Sequence, residues 1–380
     1  MNLVLFFTLG KSLQQWIKTG LIDREKLIYE EHLNQGQISK VYWITYGVND
    51  KIYEQQLKDT GRLHNDIIII PMPKLFRTII GYIIYSFIIP FYHRKVFISS
   101  DIIKTNQING SWSAVISKLV YKTPLIIRTG YTRTQQFQYC FNNSNSIKKK
   151  FFELIEFTAY KICDIGIVAS FHNKKYLENK YKLDATKIKV VYNNIDTKIF
   201  SPNDCIKYKY KVIFVGRLSK AKNLFNLIKA ISRTNLTLDI YGDGYLKNEL
   251  KEYVKKINAK VLFKGVVANN KFPSILNKYE YFILPSYYEG MPKSLLEAMA
   301  CGLVCIGTNV VGINEVINDN INGYLINGTD SQDIERILIK VIKSDNTHIK
   351  KNAIEIIKST FALAKIVDEE KEIFDKIIKM

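Results

Sequence analysis

The sequence predicts an α/β protein of two domains, each a parallel sheet covered by helices. Three observations predict this. Short apolar runs alternate with longer stretches of helical periodicity, which is the rhythm of βαβ units. At 380 residues the chain exceeds what one hydrophobic core comfortably serves, and its 47% hydrophobic content suffices for two. The strand-like runs also fall into two sets, parted by a polar stretch.

In the first set, the strands expected are 2–7, 41–46, 67–70, 96–98, 125–127, 165–169 and 189–192. In the second they are 212–215, 237–241, 261–263, 281–284 and 304–306. Between the sets lie Asn193-Asn194-Ile195-Asp196, then Phe200-Ser201-Pro202, then a polar run through Tyr210. A hinge is expected at 197–210, dividing a first domain of 1–205 from a second of 206–360. The last stretch, Phe361 to Lys379, has helical periodicity.

Charge and cysteine content bound the function. The formal net charge is +20. The first 200 residues carry 28 basic and 15 acidic side chains, so they hold +13 of it. Such an excess attracts anions: nucleic acid, an anionic leaflet or a phosphorylated substrate. The sequence contains no zinc finger, RNP-like motif or basic base-reading helix, which disfavours nucleic acid. The run TIIGYIIYSFIIPFY at 78–92 is flanked by Lys74, Arg77, His93, Arg94 and Lys95. It is shorter than the ~20 residues that span a bilayer. It suits an interfacial helix with aromatic and basic anchors, and equally an ordinary buried helix. Met1 to Phe7 is apolar but has no basic residues before it, so no cleavable signal peptide is expected. Cys140, Cys163, Cys205, Cys301 and Cys305 show neither a disulfide framework nor zinc spacing, which suits a reducing cytoplasm. The five histidines are scattered and Asp-x-Asp is absent, so no metal is expected.

Chemistry concentrates between Tyr281 and Ala300. Glu289 lies in a Gly/Pro loop after an apolar run, and Glu297 lies eight positions on, inside a helix expected to start near Pro292. The amides of Gly290, Met291, Lys293 and Ser294 then point out of the helix start, which is an anion site. Carboxylates beside a bound diphosphate would repel it, so they suit hydroxyl groups better. Backbone donors between two hydroxyl-binding carboxylates describe a site for a nucleotide sugar. A surface loop with a capped helix satisfies the same residues.

The surroundings of this stretch resemble the retaining, group-one glycosyltransferases of the GT-B fold, with their Glu-x7-Glu motif. Leu284-Pro285-Ser286 precedes it, and Glu-Ala-Met-Ala-Cys-Gly follows at 297–302. Gly312 with Glu315 and Gly323-Tyr324-Leu325 complete the pattern. Upstream, Gly216-Arg217 and Lys222 match the family's Gly-Arg-x-x-x-x-Lys, although a solvated basic loop reads the same in isolation. The planar fork of Arg217 and the point charge of Lys222 both suit phosphate oxygens. Tyr241-Gly242-Asp243-Gly244 looks like the family's strand-end Gly-x-Gly turn. Near 193–202 the family has Asn-Gly-Ile-Asp, where this chain carries Asn194 for the Gly. Asn tolerates the left-handed backbone such a turn asks for.

The resemblance implies two Rossmann-like domains facing across a cleft, with the helix at 361–380 packed back on the first. It implies that Arg217 and Lys222 hold the diphosphate, Glu289 contacts the transferred sugar and Glu297 binds the ribose. Those first three are the expected catalytic residues. The donor site then comprises Gly216, Arg217, Lys222, Val267, Glu289, Gly290, Met291, Pro292, Lys293, Ser294, Leu295 and Glu297. Val267 enters through its backbone near the nucleobase. No cofactor and no metal ion is implied.

The acceptor side, in the first domain, is less distinct. Gly10-Lys11-Ser12 after the first strand is no P-loop, because Leu5 stands where that motif needs a Gly. Relatives carry Gly-Gly here and a His after a mid-domain strand; this chain has only Gly10, and Arg128-Thr129-Gly130-Tyr131. Gly10, Asn106, Arg128 and Tyr131 are the acceptor-side candidates, with helix capping an equal account of the polar cluster around Asn106. The implied activity is retaining, metal-independent transfer of a hexose-type sugar from a nucleotide diphosphate sugar to a glycan or lipid-linked acceptor. The context implied is bacterial surface polysaccharide assembly, cytoplasmic or peripheral at the inner face of the membrane. Two rivals remain: a nucleotide-sugar epimerase of the same build, and a non-catalytic sugar-nucleotide- or lipid-binding subunit.

Overall fold

The computed structural model describes residues 1–132, 134, 135 and 147–379; Cys140 lies outside them. The chain forms two compact units. One gathers the described residues up to Tyr192 with those from Ile366 onward, and the other runs Asn193–Lys365.

The first unit carries β1 (Asn2–Phe6), β2 (Lys40–Ile44), β3 (Ile67–Ile70), β4 (Ile102–Thr105), β5 (Leu125–Thr129), β6 (Ile165–Val168) and β7 (Ile188–Val190). They form one parallel sheet in the order β3-β2-β1-β4-β5-β6-β7. Parallel strands are buried on both faces, and the two-residue period divides them. Leu3 and Leu5 enter one core with Trp43, while Val4 and Phe6 enter the other with Ile44. Helices α1 (Leu13–Lys18), α2 (Leu27–Asn34), α3 (Ile79–Tyr92), α4 (Arg94–Ile98), α5 (Trp112–Tyr121) and α6 (Ile147–Ile162) belong to this unit. Ser12 caps α1 by accepting from the Gln15 amide at 3.1 Å, so that serine serves as a cap.

One expected strand is wrong. Residues 96–98 lie in the short helix α4, and the strand is β4, four residues on. Lys104 in its middle breaks the apolar run that would have marked it, yet this side chain is fully buried.

The second unit carries β8 (Lys211–Val215), β9 (Thr237–Tyr241), β10 (Val261–Gly265), β11 (Tyr281–Leu284), β12 (Val304–Thr308) and β13 (Tyr324–Ile326). The order β10-β9-β8-β11-β12-β13 is again parallel. The sequence does not predict β13: at three residues it is too short to show a period. In each sheet the direction of strand progression reverses at one place, between β1 and β4 and between β8 and β11. Sheets of this kind bind ligands beyond the carboxyl ends of the strands at that reversal.

Helix α7 (Lys293–Ala300) follows β11. Pro292 precedes the helix as its cap, with φ −76° and ψ 110°, so the helix begins one residue later than expected. Asn194 is absent from the positive-φ residues described, so the left-handed turn expected there does not form. The chain is extended instead: Ile195 pairs with Ala362, donating to Phe361 O at 2.9 Å and accepting from the Leu363 amide at 2.9 Å. The chain ends in α8 (Leu363–Ile378), which buries Ile366, Val367, Glu370, Ile373, Phe374 and Ile377 along one stripe.

Candidate functional site

The reversal point of the second sheet brings two loops together. One leaves β8 as Gly216-Arg217 and closes in a 3₁₀ turn at Lys220–Lys222. The other leaves β11 and runs to Pro292. The Tyr287 amide donates to Ala221 O at 2.8 Å and stitches them backbone to backbone. A glycine is required where the next loop comes in: a Cβ on Gly242 would lie 2.0 Å from Gly216 O. Gly312, at φ +82°, closes on the β11 loop in the same way, since a Cβ there would lie 2.1 Å from Gly290 O.

These contacts place Lys222 against Glu289. The Lys222 ammonium pairs with Oε1 of Glu289, which also accepts from Ser286 Oγ at 2.6 Å. Glu289 is nearly buried and Ser286 wholly so; Thr308 Oγ1 in turn donates to Ser286 O. The carboxylate is thus fixed from two sides. The Lys222 side chain also runs close to Gly216, where an added Cβ would stand 3.7 Å from Lys222 Cε. Arg217, on the same loop, is exposed.

Immediately after Glu289 the backbone offers donors. Pro292 O accepts from Leu295 and Leu296 at 3.1 and 3.4 Å. Among the described residues no chain acceptor takes the amides of Gly290, Met291 or Ser294. That is the state of a helix start with no side-chain cap. The Met291 carbonyl is held by Asn193 Nδ2 at 2.7 Å. Further along α7, Glu297 is buried and accepts from Asn269 Nδ2 at 2.9 Å. Asn269 stands just beyond β10, two residues past the half-buried Val267. The two carboxylates therefore reach different partners: Glu289 the loop of β8, Glu297 the loop of β10. The thiol of Cys301 is pushed up to about 12 by burial, with the Glu297 charge adding, and serves as packing.

The structure thus brings Gly216, Lys222, Glu289 and the start of α7 to one place, with Glu297 and Val267 linked to it through Asn269. Three contributors escape sequence reasoning. Ser286 stands in the Leu-Pro-Ser run without a role of its own, Asn193 belongs by sequence to the approach to the hinge, and Asn269 has no sequence signal.

The first unit's candidates also gather at a carboxyl edge. Gly10 lies in the loop after β1 at φ +71°, and Asn106 directly follows β4. Asn106 donates to Phe6 O at 2.9 Å, and Leu9 to Asn109 O at 3.0 Å. Gly130, between Arg128 and Tyr131, donates to Gln107 Oε1 at 3.2 Å, joining the loop of β5. Arg128 itself sits in β5; burial lowers the pKa of Lys104 on the neighbouring strand, and the Arg128 charge adds to that. Among the described residues no cluster of His, Cys, Asp or Glu is suited to a metal ion, and no helix is long and apolar enough to cross a membrane.

Residues 196–356 match the family model described as glycosyl transferases group 1. The chain is 30% identical over 246 residues to an Escherichia coli UDP-Gal:alpha-D-GlcNAc-diphosphoundecaprenol alpha-1,3-galactosyltransferase, covering 60% of this chain and 64% of that one. It is 34% identical over 213 residues to a Campylobacter jejuni N-acetylgalactosamine-N,N'-diacetylbacillosaminyl-diphospho-undecaprenol 4-alpha-N-acetylgalactosaminyltransferase, covering 54% and 56%. The matches thus span less than two thirds of these relatives. Among solved structures, Anabaena HepE in complex with UDP and glucose superposes with a TM-score of 0.77 at 17% identity, over 99% of this chain and 100% of that one. Sucrose-phosphate synthase from Thermosynechococcus elongatus does so with a TM-score of 0.79 at 17% identity, over 100% and 99%. The fold is GT-B.

Proposed function

We propose that this chain, whose residues 196–356 match the model of the group 1 glycosyl transferases, transfers a sugar from a nucleotide diphosphate sugar to a lipid-linked glycan acceptor. The observation that carries the reading is the Lys222–Glu289 pair beside the unpartnered amides of Gly290, Met291 and Ser294 at the start of α7, at the reversal point of the second sheet.

A diphosphate seated on those amides offers Lys222 a partner of higher charge than one carboxylate. Glu289, still held by Ser286, is then released to accept from a hydroxyl of the transferred sugar. Glu297 takes the ribose hydroxyls. When the bond between C1 and the phosphate oxygen breaks, its electron pair stays on the diphosphate. Arg217, Lys222 and the amides meet that growing charge, which lowers the barrier more than it tightens substrate binding. The acceptor hydroxyl bonds to C1 on the face the diphosphate leaves, and its proton passes to a leaving phosphate oxygen. Configuration is retained, and protein cations do the work a metal would otherwise do. The acceptor belongs to the first unit, at the loops of Gly10, Asn106, Arg128 and Tyr131. The diphosphoundecaprenol acceptors in the names of both bacterial relatives support a lipid-linked substrate at a membrane surface.

Incubation with a panel of labelled nucleotide sugars and a bacterial lipid extract tests this. The expected result is release of the nucleotide with label in the lipid fraction. Label left in an altered free nucleotide sugar, or binding with no turnover, overturns it.

A further inference from the structure

The first unit contains an apolar cavity of about 620 Å³ whose walls come from α3, α5 and α6. Ile83 and Phe87 of α3, Val115 of α5, and Leu154 and Ala159 of α6 form most of it. Its size lies within the roughly 300–1,000 Å³ of small-molecule sites. Its position is informative. At one end it is lined by Leu9, Asn109 and Ser111, the loops that follow β1 and β4 at the reversal point of this sheet. The hydroxyl of Ser111 is buried there and has no hydrogen-bond partner. At the other end the walls open: Ile83, Phe87 and Leu154 are each about half exposed or more, at 50, 48 and 62%.

Ile79, Ile80, Ile84 and Phe91 of α3 are exposed, so this helix is not the buried one its composition also allowed. Lys74, Arg77, Arg94 and Lys95 flank it, all exposed and none in an ion pair among the described residues. A slot that is apolar along its length and polar at the loop end, beside a helix with cations at both ends, fits a hydrocarbon chain on an anionic head.

Resting on the function proposed above, we infer that this cavity holds the first isoprenoid units of a lipid diphosphate acceptor. The chain lies between α3, α5 and α6, and the diphosphate end lies at the loops carrying Gly10 and Asn106. Position selects this occupant: the slot is continuous with the acceptor-side loops. The cations at the two ends of α3 favour an anionic molecule approaching that helix. The slot's apolar lining rewards each buried methylene by about fourfold in affinity. No bond is made or broken here, so the role is to grip and aim the acceptor.

The test is binding without a donor, which separates it from the transferase assay. Farnesyl diphosphate, dimethylallyl diphosphate and inorganic pyrophosphate are titrated into the full chain by calorimetry. Farnesyl diphosphate is expected to bind at least tenfold more tightly than the other two. Thr158→Trp fills the cavity from α6, and Phe87→Asp puts a charge at its mouth. Both are expected to lose at least tenfold for farnesyl diphosphate and to keep the weak pyrophosphate binding. Both are expected to keep the wild-type circular-dichroism spectrum, so that the loss is read on folded protein. Equal binding of the three probes overturns the inference. So does unchanged farnesyl diphosphate affinity in the two folded variants, or an apolar interaction seen only with anionic phospholipid vesicles. If binding behaves as expected but no sugar moves in the assay above, the transferase reading fails and the cavity assignment stands.

Discussion

Replacing Glu370 by Gln tests the charge pair that fastens α8 into the first unit. Glu370 is fully buried, with its oxygens 2.6 and 2.7 Å from Lys104 Nζ and one of them 3.3 Å from His32 Nε2. Burial opposes the carboxylate's charge, but Lys104 and His32 overcome it and hold the carboxyl at about 2, down from 4.5. That displacement is worth about 3 kcal/mol of preference for the charged form. The folded pKa is the lower one, so the contribution is complete above 4.5 and is lost as pH falls towards 2. Lys104 works in the other direction. Burial lowers its pKa, with Arg128 adding, so keeping it charged consumes part of the gain. Gln preserves the shape but leaves an ammonium without a counter-charge, a change that costs about 3–5 kcal/mol in a buried pair.

The assay is favoured by the chain itself. Its three tryptophans, Trp16, Trp43 and Trp112, all lie in the first unit, so fluorescence during urea unfolding follows that unit alone. Trp43 also packs edge-on against Tyr29, whose ring lies 5.3 Å from Lys104 Nζ. With an m-value of about 2–3 kcal/mol/M, the midpoint of E370Q at pH 7 is expected to fall by more than 1 M. At pH 3 the gap narrows, because the wild type has by then lost much of the carboxylate's contribution. A midpoint within about 0.2 M of the wild type, or the same gap at both pH values, refutes the reasoning.

The other expectations concern the donor site. Arg217→Ala and Lys222→Ala should each lower kcat by about 10²–10³, the scale of losing one charge-stabilising group, and wild-type rates in both would remove the site assignment. Glu289→Gln should cut kcat while nucleotide affinity, read by titration, changes little; an equal loss in both would make Glu289 merely a structural partner of Lys222. Gly312→Ala must move the Gly290 carbonyl, so its KM for the donor should rise several-fold while the urea midpoint of the second unit, followed by circular dichroism, shifts less than that of a core substitution. Excess EDTA should leave steady-state turnover intact, and a loss restored by a divalent cation would show that protein cations are insufficient.

What was legible depended on whether a property is written locally. Most strands of both sheets announce themselves by apolar runs, and the Gly-Arg, Lys and Glu pattern marks the proposed donor side because a phosphate demands cations and amides of stated type. Strand β4 hid because Lys104 interrupts it, and the reason that lysine is tolerated lies at Glu370, 266 residues away. Residues 96–98 misled because three apolar residues fit a strand and a helix turn equally well. The partner of Glu297, Asn269, is an ordinary polar residue until folding places it there. The exposure of α3 was equally hidden, since composition says how apolar a helix is and not whether anything covers it.

The contrast between the two reversal points has a physical origin. At β8 and β11 the proposed ligand is small, charged and dense with acceptors, so recognition would use few residues of fixed chemistry set close in sequence: Lys222, Ser286 and Glu289 with the amides after them. At β1 and β4 the proposed ligand is long and largely apolar. Any branched or aromatic side chain can line its path, so Ile83, Phe87 and Leu154 carry no signature that distinguishes them from a core. What does distinguish them is their exposure, a property of the folded surface alone. Substitutions along that path should therefore be interchangeable among apolar residues of similar volume and intolerant of charge, whereas the donor side should tolerate neither.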